Sequence, residues 1–493
     1  MILAHAGNRL FTVYVDHRDL NRLAKLWKLV DRIEKLNYTT RLGQLAMFLS
    51  SLGPAPNLKV LYLRPESTAG IEEPASLVHF PTIFSGCLPS LHDLILTSAI
   101  AWPIGLFKDL ISFECGVSGH RPISATHALG VLRESPSIES IRLVGYSTLP
   151  RGFHTPAITL PSLKRCALVG RGTTSLIRFL TVPASTYIFL GKPYAHDWSI
   201  FPKFDHVSVE PNLPFLDEVS AISFSISDYV VRLKAKNVHG GVWDAQVDEL
   251  DKLSLDPIVF LHFIRSSFEC TRTCPGFKTA ETFTLEADLG RTWEAEEATC
   301  FALDVVGLIS NLPDIKEVAL RGIPSTELSS ILEFLHCVAN YELPCPNLRR
   351  LHIVSAPIRS PRPLLEGLGE LLAEREKAGA AFQSVTVKVK CELLIPAPEH
   401  RAFLTSWAGL VGEGVSLEYE ETEVKKLPRH CRRNYEWDYE GDDWDSEDEG
   451  YEDGDEGGEG DEENEEGGTG DPDGGCVGWN GWPENWPATV DGQ

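Results

Sequence analysis

The chain of 493 residues carries a formal charge of −25, and that charge is unevenly distributed. Residues 434–493 contain 23 acidic residues and no Lys or Arg, whereas residues 1–433 contain 47 acids against 45 bases. A first segment this close to neutrality argues against nucleic-acid binding, because such domains carry a basic surface. Its apolar content is sufficient for a buried core, whereas residues 434–493 are predicted to form a disordered acidic tail.

The sequence shows no sign of secretion or membrane insertion. Residues 1–10 contain no convincing hydrophobic signal region, and no run of about 18 apolar residues occurs. The 11 cysteines lack the spacing of a disulfide framework, so we expect free thiols in a reducing compartment. These features predict a cytoplasmic or nuclear protein without membrane contact.

One pattern recurs along the first segment: Pro, any residue, apolar, two residues, apolar, one residue, apolar. Copies begin at Pro56, Pro89, Pro136, Pro161, Pro202, Pro313 and Pro346, and weaker copies without the proline begin at Ile33, Leu110 and Phe382. Alternating apolar residues place one side of a short strand in a core. We therefore predict strands of one parallel sheet at 58–63, 91–96, 138–143, 163–168, 315–320, 348–353 and 385–389.

Helical patterns occupy several of the intervals between these strands. We predict helices that start near Thr40, Ser325 and Pro363, with Ser325 as a cap and Pro363 in the first turn. Gly53 and Gly379 would end the first and the third of them. The residues predicted to be buried in the second and third are Leu328, Ile331, Leu332, Leu335, Leu365, Leu368 and Leu372.

Strand and helix thus alternate with a period of about 25 to 34 residues, which is typical of leucine-rich repeats with helices of variable length. We predict an irregular, leucine-rich-repeat-like α/β solenoid over residues 1–433. Ordinary βαβ units of a doubly wound fold are the alternative. Two features depart from the repeat: the asparagine that should follow each strand is missing, and residues 176–289 fit poorly. Within that stretch VSAISFSI, YVVRLKA and ETFTLEA still indicate strands.

These segments also carry a resemblance. AGNRLFTVYVD, RIEKLNY, PAPNLKVLYL, LPSLHDLIL and CPNLRRLHI together resemble the F-box and leucine-rich-repeat proteins of basidiomycete fungi, over about residues 1–419. The resemblance implies repeats that bind a substrate protein for a cullin ubiquitin ligase. In that family an F-box docks on a Skp-type adaptor. No F-box motif is recognised near the start of this sequence, so adaptor binding is expected only if such a module lies upstream.

Motifs for metals and phosphates are incomplete. Cys270 and Cys274 follow His262 at a spacing that could suit zinc, but no second pair follows, which favours buried or incidental cysteines. Gly170, which follows a predicted strand, and Gly191 both lack the other residues of a dinucleotide or phosphate loop. We therefore predict no catalytic, cofactor-binding or metal-binding residues, no cofactor and no enzyme activity.

The tail offers a second functional hypothesis. Its acids imitate a calcium loop from Asp445 to Glu456, a match expected by chance in so acidic a segment. Aromatic residues lie among and beyond the acids: Tyr435, Trp437, Tyr439, Trp444, Tyr451, Trp479, Trp482 and Trp486. The sequence thus predicts a protein–protein interaction scaffold, related to F-box substrate receptors. The alternative is an acidic-tailed chaperone or regulator of basic proteins such as histones or ribosomal proteins, and the simplest role for the tail is solubilisation.

Overall fold

The fold is described from a computed structural model. It describes residues 10–16, 27–41, 48–66, 78–79, 82–97, 100–101, 105–116, 123–145, 147–148, 155–170, 173–192, 216–227, 230–247, 265, 268, 275–288, 295–336, 344–358, 361–393, 407 and 414–423. Contacts divide the chain into two units, Met1–Thr422 and Glu423–Gln493. The predicted boundary at 433/434, the acidic tail and the copy of the pattern at Pro202 lie outside the described residues.

Sixteen strands of the described residues form one sheet, numbered β1 to β16 in chain order. They are β1 Phe11–Asp16, β2 Ile33–Arg41, β3 Val60–Glu66, β4 Asp93–Leu96, β5 Ser112–Gly116, β6 Ser140–Val144, β7 Arg165–Val169, β8 Tyr187–Lys192, β9 Val219–Ser227, β10 Val231–Asn237, β11 Val242–Val247, β12 Thr282–Asp288, β13 Glu317–Ile323, β14 Arg350–Ile358, β15 Ser384–Leu393 and β16 Val415–Glu423. All seven predicted strands lie in this sheet, as β3, β4, β6, β7, β13, β14 and β15, which confirms their placement in one sheet, although that sheet is only mostly parallel.

The order of strands in the sheet follows the chain except in its centre. From β1 to β8, each strand pairs in parallel with the next. The same holds from β12 to β15. Between them the order is β8-β11-β10-β9-β12. There β10 pairs antiparallel with both of its neighbours, whereas β11 is parallel to β8 and β9 to β12. We call β9, β10 and β11 the central meander.

A β-turn built on the repeated proline precedes six strands. Before β3, the Leu58 amide donates to the Ala55 carbonyl oxygen (3.3 Å), which puts Pro56 at the second turn position, where its fixed φ is favoured. The equivalent amides before β4, β6, β7, β13 and β14 belong to Leu91, Ile138, Leu163, Ile315 and Leu348. The six strands therefore begin two residues later than predicted. The sequence pattern had assigned to each strand the residue whose amide closes the turn and the residue that follows it.

Side chains link successive turns at this entrance edge of the sheet. Asn57 Nδ2 donates to the Asp31 carbonyl oxygen (2.6 Å), and Ser90 Oγ donates to the Pro56 carbonyl oxygen one repeat later (2.6 Å). Asn347 Nδ2 donates in the same way to Pro313 (2.9 Å). We call these bonds the turn ladder. The sequence lacks the asparagines expected at the exit edge. At the opposite edge, polar side chains form hydrogen bonds between neighbouring repeats.

Glycines occupy the exit edge where the asparagine was expected. Gly170 has a φ of +107°, and a Cβ at this residue would overlap the carbonyl oxygen of Gly145 in the preceding repeat. Gly322 has a φ of +66°, and its Cβ would overlap the carbonyl oxygen of Ala287. Only glycine accepts both the backbone conformation and the close approach.

The described helices are α1 Ala125–Glu134, α2 Ala295–Ser310, α3 Ser325–His336 and α4 Arg362–Lys377, with 3-10 helices at Trp27–Arg32, Phe84–Gly86, Thr174–Phe179 and Pro275–Thr279. In α3 the four predicted leucine and isoleucine residues are buried, but Ser325 is the first helical residue rather than a cap. In α4 the buried residues are Leu364, Leu365, Leu368 and Leu371, and Leu372 is only half-buried. The helix predicted from Thr40 lies largely outside the described residues; 48–51 is helical.

One hydrophobic core joins the helices to one face of the sheet. It includes Leu320 and Ile353 of the strands with Leu332 and Leu368 of α3 and α4. A cation lies inside it: Arg375 of α4 is fully buried and donates four hydrogen bonds (3.0–3.2 Å), to the carbonyl oxygens of Pro344, Cys345, Leu348 and Ala380. Such complete pairing offsets the cost of burying the guanidinium. The chain is therefore an α/β protein with a large, mostly parallel sheet.

Candidate functional site

The candidate site is the sheet face that points away from this core, which we call the outer face. In β3, Leu61 and Leu63 enter the core, while Val60 and Tyr62 reach the outer face, because alternate residues of a strand point to opposite sides. Four apolar residues of this face, Ala167, Val169, Phe189 and Ala319, are buried without belonging to the core, because β7, β8 and β13 place them on the other side.

The strands are in register, so their side chains form continuous rows across the outer face. The middle row, in sheet order, is Tyr14, Asn37, Tyr62, Ile95, Glu114, Arg142, Ala167, Phe189, Asp244, Lys234, Ser223, Thr284, Ala319, His352 and Thr386. Fifteen strands thus each contribute one side chain to a single line. A surface of this kind offers many different side chains at fixed spacing, which suits the binding of another macromolecule.

The first strands contribute apolar and aromatic side chains to this row. Tyr14 is 77% exposed, and Tyr62 and Ile95 are half-buried. We call these three residues the aromatic end of the outer face. Tyrosines are enriched among residues that dominate binding energy at protein interfaces, because they combine a large apolar ring with a hydroxyl.

An ion pair follows in the next two strands. The Arg142 guanidinium of β6 donates to the Glu114 carboxylate of β5, and each side chain is 18% exposed. Burial raises the pKa of Glu114 and lowers the pKa of Arg142, and the attraction between the two charges opposes both shifts. The pair contributes a fixed, largely desolvated charge pattern at the centre of the face.

The central meander carries the most buried charge of the outer face. Asp244 of β11 has no exposed surface, and its carboxylate accepts two hydrogen bonds from Arg232 of β10, each 2.7 Å long. Tyr187 of β8 donates a third through its hydroxyl (2.8 Å), and Lys234 Nζ lies 3.8 Å from the same carboxylate oxygen. A forked arginine and a phenol satisfy a buried carboxylate that would otherwise be costly.

The sequence builds this cluster through the turn between β10 and β11. Asn237 is buried, its Oδ1 accepts from the amides of His239 (3.0 Å) and Gly241 (2.8 Å), and its Nδ2 donates to the Ala184 carbonyl oxygen (2.7 Å). Gly240 supplies a φ of +82° in the same turn. This tight reversal brings β10 beside β11, so that Lys234 is in register with Asp244 and Arg232, two residues earlier, reaches the carboxylate diagonally.

Chemically, the cluster is suited to holding charge in place. Burial, and then the neighbouring Asp244 carboxylate, raise the pKa of the Tyr187 hydroxyl, so the phenol stays protonated and acts as a donor. The Asp244 carboxylate is already bonded to Arg232 and Tyr187. The arrangement therefore fixes cations above a buried anion rather than presenting a base to a substrate.

Beyond the meander the outer face is lined by small polar side chains. The middle row there contains Ser223, Thr284 and Thr386, all half-buried. His352 Nε2 lies 3.6 Å from Glu317 Oε1, and Glu317 also accepts from Arg350 (2.7 Å). This half of the face also carries charges, Glu317 and Arg350 at the entrance of the strands and Glu286 and Arg321 beyond the middle row.

Cys270, Cys274 and His262 lie outside the described residues. In the part of the chain that the structure describes, Cys87, Cys115, Cys166, Cys300 and Cys345 are free thiols, and no group of three or more His, Cys, Asp or Glu residues could hold a metal ion. Burial raises the pKa of both Cys115 and Cys166 to about 12, so these thiols stay protonated.

Sequence reasoning missed the charges of the central meander. The available signal was the alternation in Val231–Asn237, VRLKAKN, in which each second residue is basic. Asp244 could not be singled out in this way, because one acidic residue in VWDAQV does not indicate that basic residues of a neighbouring strand pair with it.

No family model, curated protein or solved structure matches this chain. Among the described helices, none has the length and apolar character needed to cross a lipid bilayer.

Proposed function

We propose that this chain is a protein-binding scaffold of the leucine-rich-repeat-like type, that it is not an enzyme, and that its outer face contacts the partner. The observation that carries the proposal is the continuous middle row, in which fifteen strands place aromatic, apolar, charged and hydroxyl side chains on one surface. The repeated turn before six strands and the parallel order of neighbouring repeats support the repeat-like architecture.

The finer assignment within this class is a substrate-recognition subunit related to F-box components of cullin ubiquitin ligases. Its support is the sequence resemblance alone. The parallel, repeated sheet is the kind of platform on which such a subunit would hold its substrate.

The test uses two variants, each of which replaces two large hydrophobic residues with serine. Tyr14→Ser with Tyr62→Ser strips the aromatic end, whereas Val238→Ser with Leu303→Ser removes exposed apolar side chains in a turn and in α2; Val238 is 62% and Leu303 49% exposed. Proteins crosslinked to the full chain in an extract of its source cells are identified by mass spectrometry. We expect specific partners to be lost from the first variant and retained by the second. Partners lost only from the second would contradict the proposal.

A second candidate assigns binding to the tail, because 23 acids and no base lie in residues 434–493. A protein of that kind would capture basic partners and lose them when the tail is deleted, with binding that weakens steeply as salt is added. The scaffold proposal expects instead that deletion of 434–493 leaves partner binding intact.

A further inference from the structure

We propose that β10 of the central meander binds an extended acidic peptide of the partner protein, an inference that rests on the protein-binding function proposed above. Three cations of this strand, Arg232, Lys234 and Lys236, point to the outer face. We call them the β10 cations. Their spacing, their exposure and the nature of their neighbours support the inference.

The strand alternates cleanly between its two sides. Val231, Leu233 and Ala235 are buried in the core, so the cations between them share the outer face. Residues two apart on a strand lie about 6.8 Å apart, so the three charges span about 14 Å. No other strand in the described part of the sheet presents three Lys or Arg residues on this face.

The exposure of these side chains leaves charge available for a ligand. Arg232 is 27% exposed and is hydrogen-bonded to Asp244. Lys234 is 42% exposed, and its Nζ lies 3.8 Å from that carboxylate, beyond hydrogen-bonding distance. Lys236 is exposed, and no ion pair connects it to another residue of the described structure. The buried Asp244 carboxylate thus faces two of the β10 cations, and the third, Lys236, lies beside the neutral Val242.

The neighbouring strands do not neutralise this excess. On β9, the residues in register with the cations are Ser225, Ser223 and Ala221, which carry no charge. On β11, Gln246 and Val242 flank Asp244, and both are neutral. Positive charge with adjacent hydroxyls is the chemistry that binds carboxylates.

The geometry favours a peptide over a nucleic acid. An extended peptide with acids at alternate positions repeats at the same spacing as the β10 cations, because both are strand-like. The cations form a strip one strand wide, and the rest of residues 1–433 is close to neutral, with 47 acids against 45 bases. A phosphate backbone would need a longer track of positive charge.

The test measures binding of a fluorescein-labelled peptide of alternating Glu and Thr to the full chain, by fluorescence anisotropy at physiological salt. We expect Lys234→Glu with Lys236→Glu to weaken binding by about tenfold or more, the loss expected when two charge contacts become repulsive. Arg232 is left unchanged because it holds Asp244. The matched control, Lys278→Glu with Lys377→Glu, reverses two exposed lysines of a 3-10 helix and of α4 and should leave the affinity within about twofold. Lys234→Gln with Lys236→Gln provides a milder variant if charge reversal impairs folding.

Several outcomes would overturn the inference. They are absence of binding by the full chain, an equal loss in the control variant, and tighter binding of single-stranded RNA than of the peptide. Equal affinity for a peptide with its Glu residues in one block would contradict the alternating register. If the peptide binds only after removal of residues 434–493, the chain's own acidic residues occupy the β10 cations, which excludes the partner peptide as their ligand. Partner capture that depends on Tyr14 and Tyr62 but not on the lysines would reject this inference and leave the proposed function standing.

Discussion

The parallel repeats and the central meander place opposite charges side by side in different ways. At the entrance of the parallel repeats, ion pairs join neighbouring strands and remain in water: Lys164 and Glu139 are 67% and 42% exposed, and Lys316 and Glu281 are 51% and 53% exposed. The Arg142–Glu114 pair in the middle row is the less exposed exception. In the meander, Asp244 has no exposed surface. The described turn between β10 and β11 is built on Asn237 and Gly240 rather than on the repeated proline, and the two strands share the buried carboxylate.

The largest expected effect comes from breaking the buried pair. Arg232→Met would leave the Asp244 carboxylate buried with only Tyr187 and the more distant Lys234 as partners. We expect a loss of about 3 kcal/mol in the free energy of unfolding, measured by urea denaturation, because an uncompensated buried charge remains. Lys164→Met breaks an exposed pair and should cost less than about 1 kcal/mol.

A compensating change sharpens the same comparison. Arg232→Met combined with Asp244→Leu removes both charges and should recover most of the lost stability, since apolar replacements of a buried pair are often close to neutral. Our account of the meander would be wrong if Arg232→Met cost no more than Lys164→Met, or if the double variant were less stable than the single one.

The contrast also shows what the sequence could and could not predict. The strands of the repeats could be predicted because proline, turn and alternating apolar residues recur at short range. The segment YVVRLKA, residues 229–235, indicated a strand without a preceding proline, and the structure has β10 at Val231–Asn237. The pairing of these strands could not be predicted, because no local feature of the sequence indicates that β8 pairs with β11 rather than with β9. The Asp244 cluster depends on that pairing, so its residues could not be assembled from sequence.

Helix ends show a similar limit. The burial of Leu332 and Leu368 followed from helical periodicity, but the pattern favoured Leu372 over Leu371, and the structure buries Leu371. Leu371 and Leu372 are adjacent positions on the helix, and the packing of the neighbouring helices determines which of them is buried. The buried Arg375 gave no signal either, because its four carbonyl acceptors come from two separate turns.

The close approach of neighbouring repeats predicts the next largest effect. Gly322→Ala would force a Cβ onto the Ala287 carbonyl oxygen at a φ of +66°, and we expect a loss of about 2 kcal/mol in stability. Gly379 after α4 has a similar φ of +71° but no atom within 4 Å of the added Cβ. Gly379→Ala should therefore cost only the conformational strain, about 1 kcal/mol. Equal losses in the two variants would show that packing between repeats is looser than the structure indicates.

The turn ladder predicts a smaller effect that is confined to the repeats. Asn347→Ala removes the side-chain bond to the Pro313 carbonyl oxygen and should lower the free energy of unfolding by about 1 kcal/mol. Asn347→Ser is the control, because Ser90 makes the equivalent bond to Pro56 at 2.6 Å in another repeat. Thermal and urea denaturation should place the serine variant between wild type and the alanine variant. A serine variant as unstable as alanine would mean that the ladder depends on asparagine.

The smallest effect is expected at an exposed pair of the repeats, and its pH dependence identifies the cause. Lys59 donates to Glu34 (2.8 Å), and this hydrogen bond is the main reason that the pKa of Glu34 is lowered. A lowered carboxyl pKa contributes stability above the ordinary value, about 4.3, and that contribution is lost as the pH falls through the lowered pKa. Lys59→Met should therefore cost less than about 1 kcal/mol at neutral pH, and the difference from wild type should shrink towards acid and in high salt. The buried Arg232 pair should keep most of its difference in salt, since buried charges are screened much less. If salt weakened both pairs equally, the distinction between the exposed charges of the repeats and the buried charge of the meander would fail.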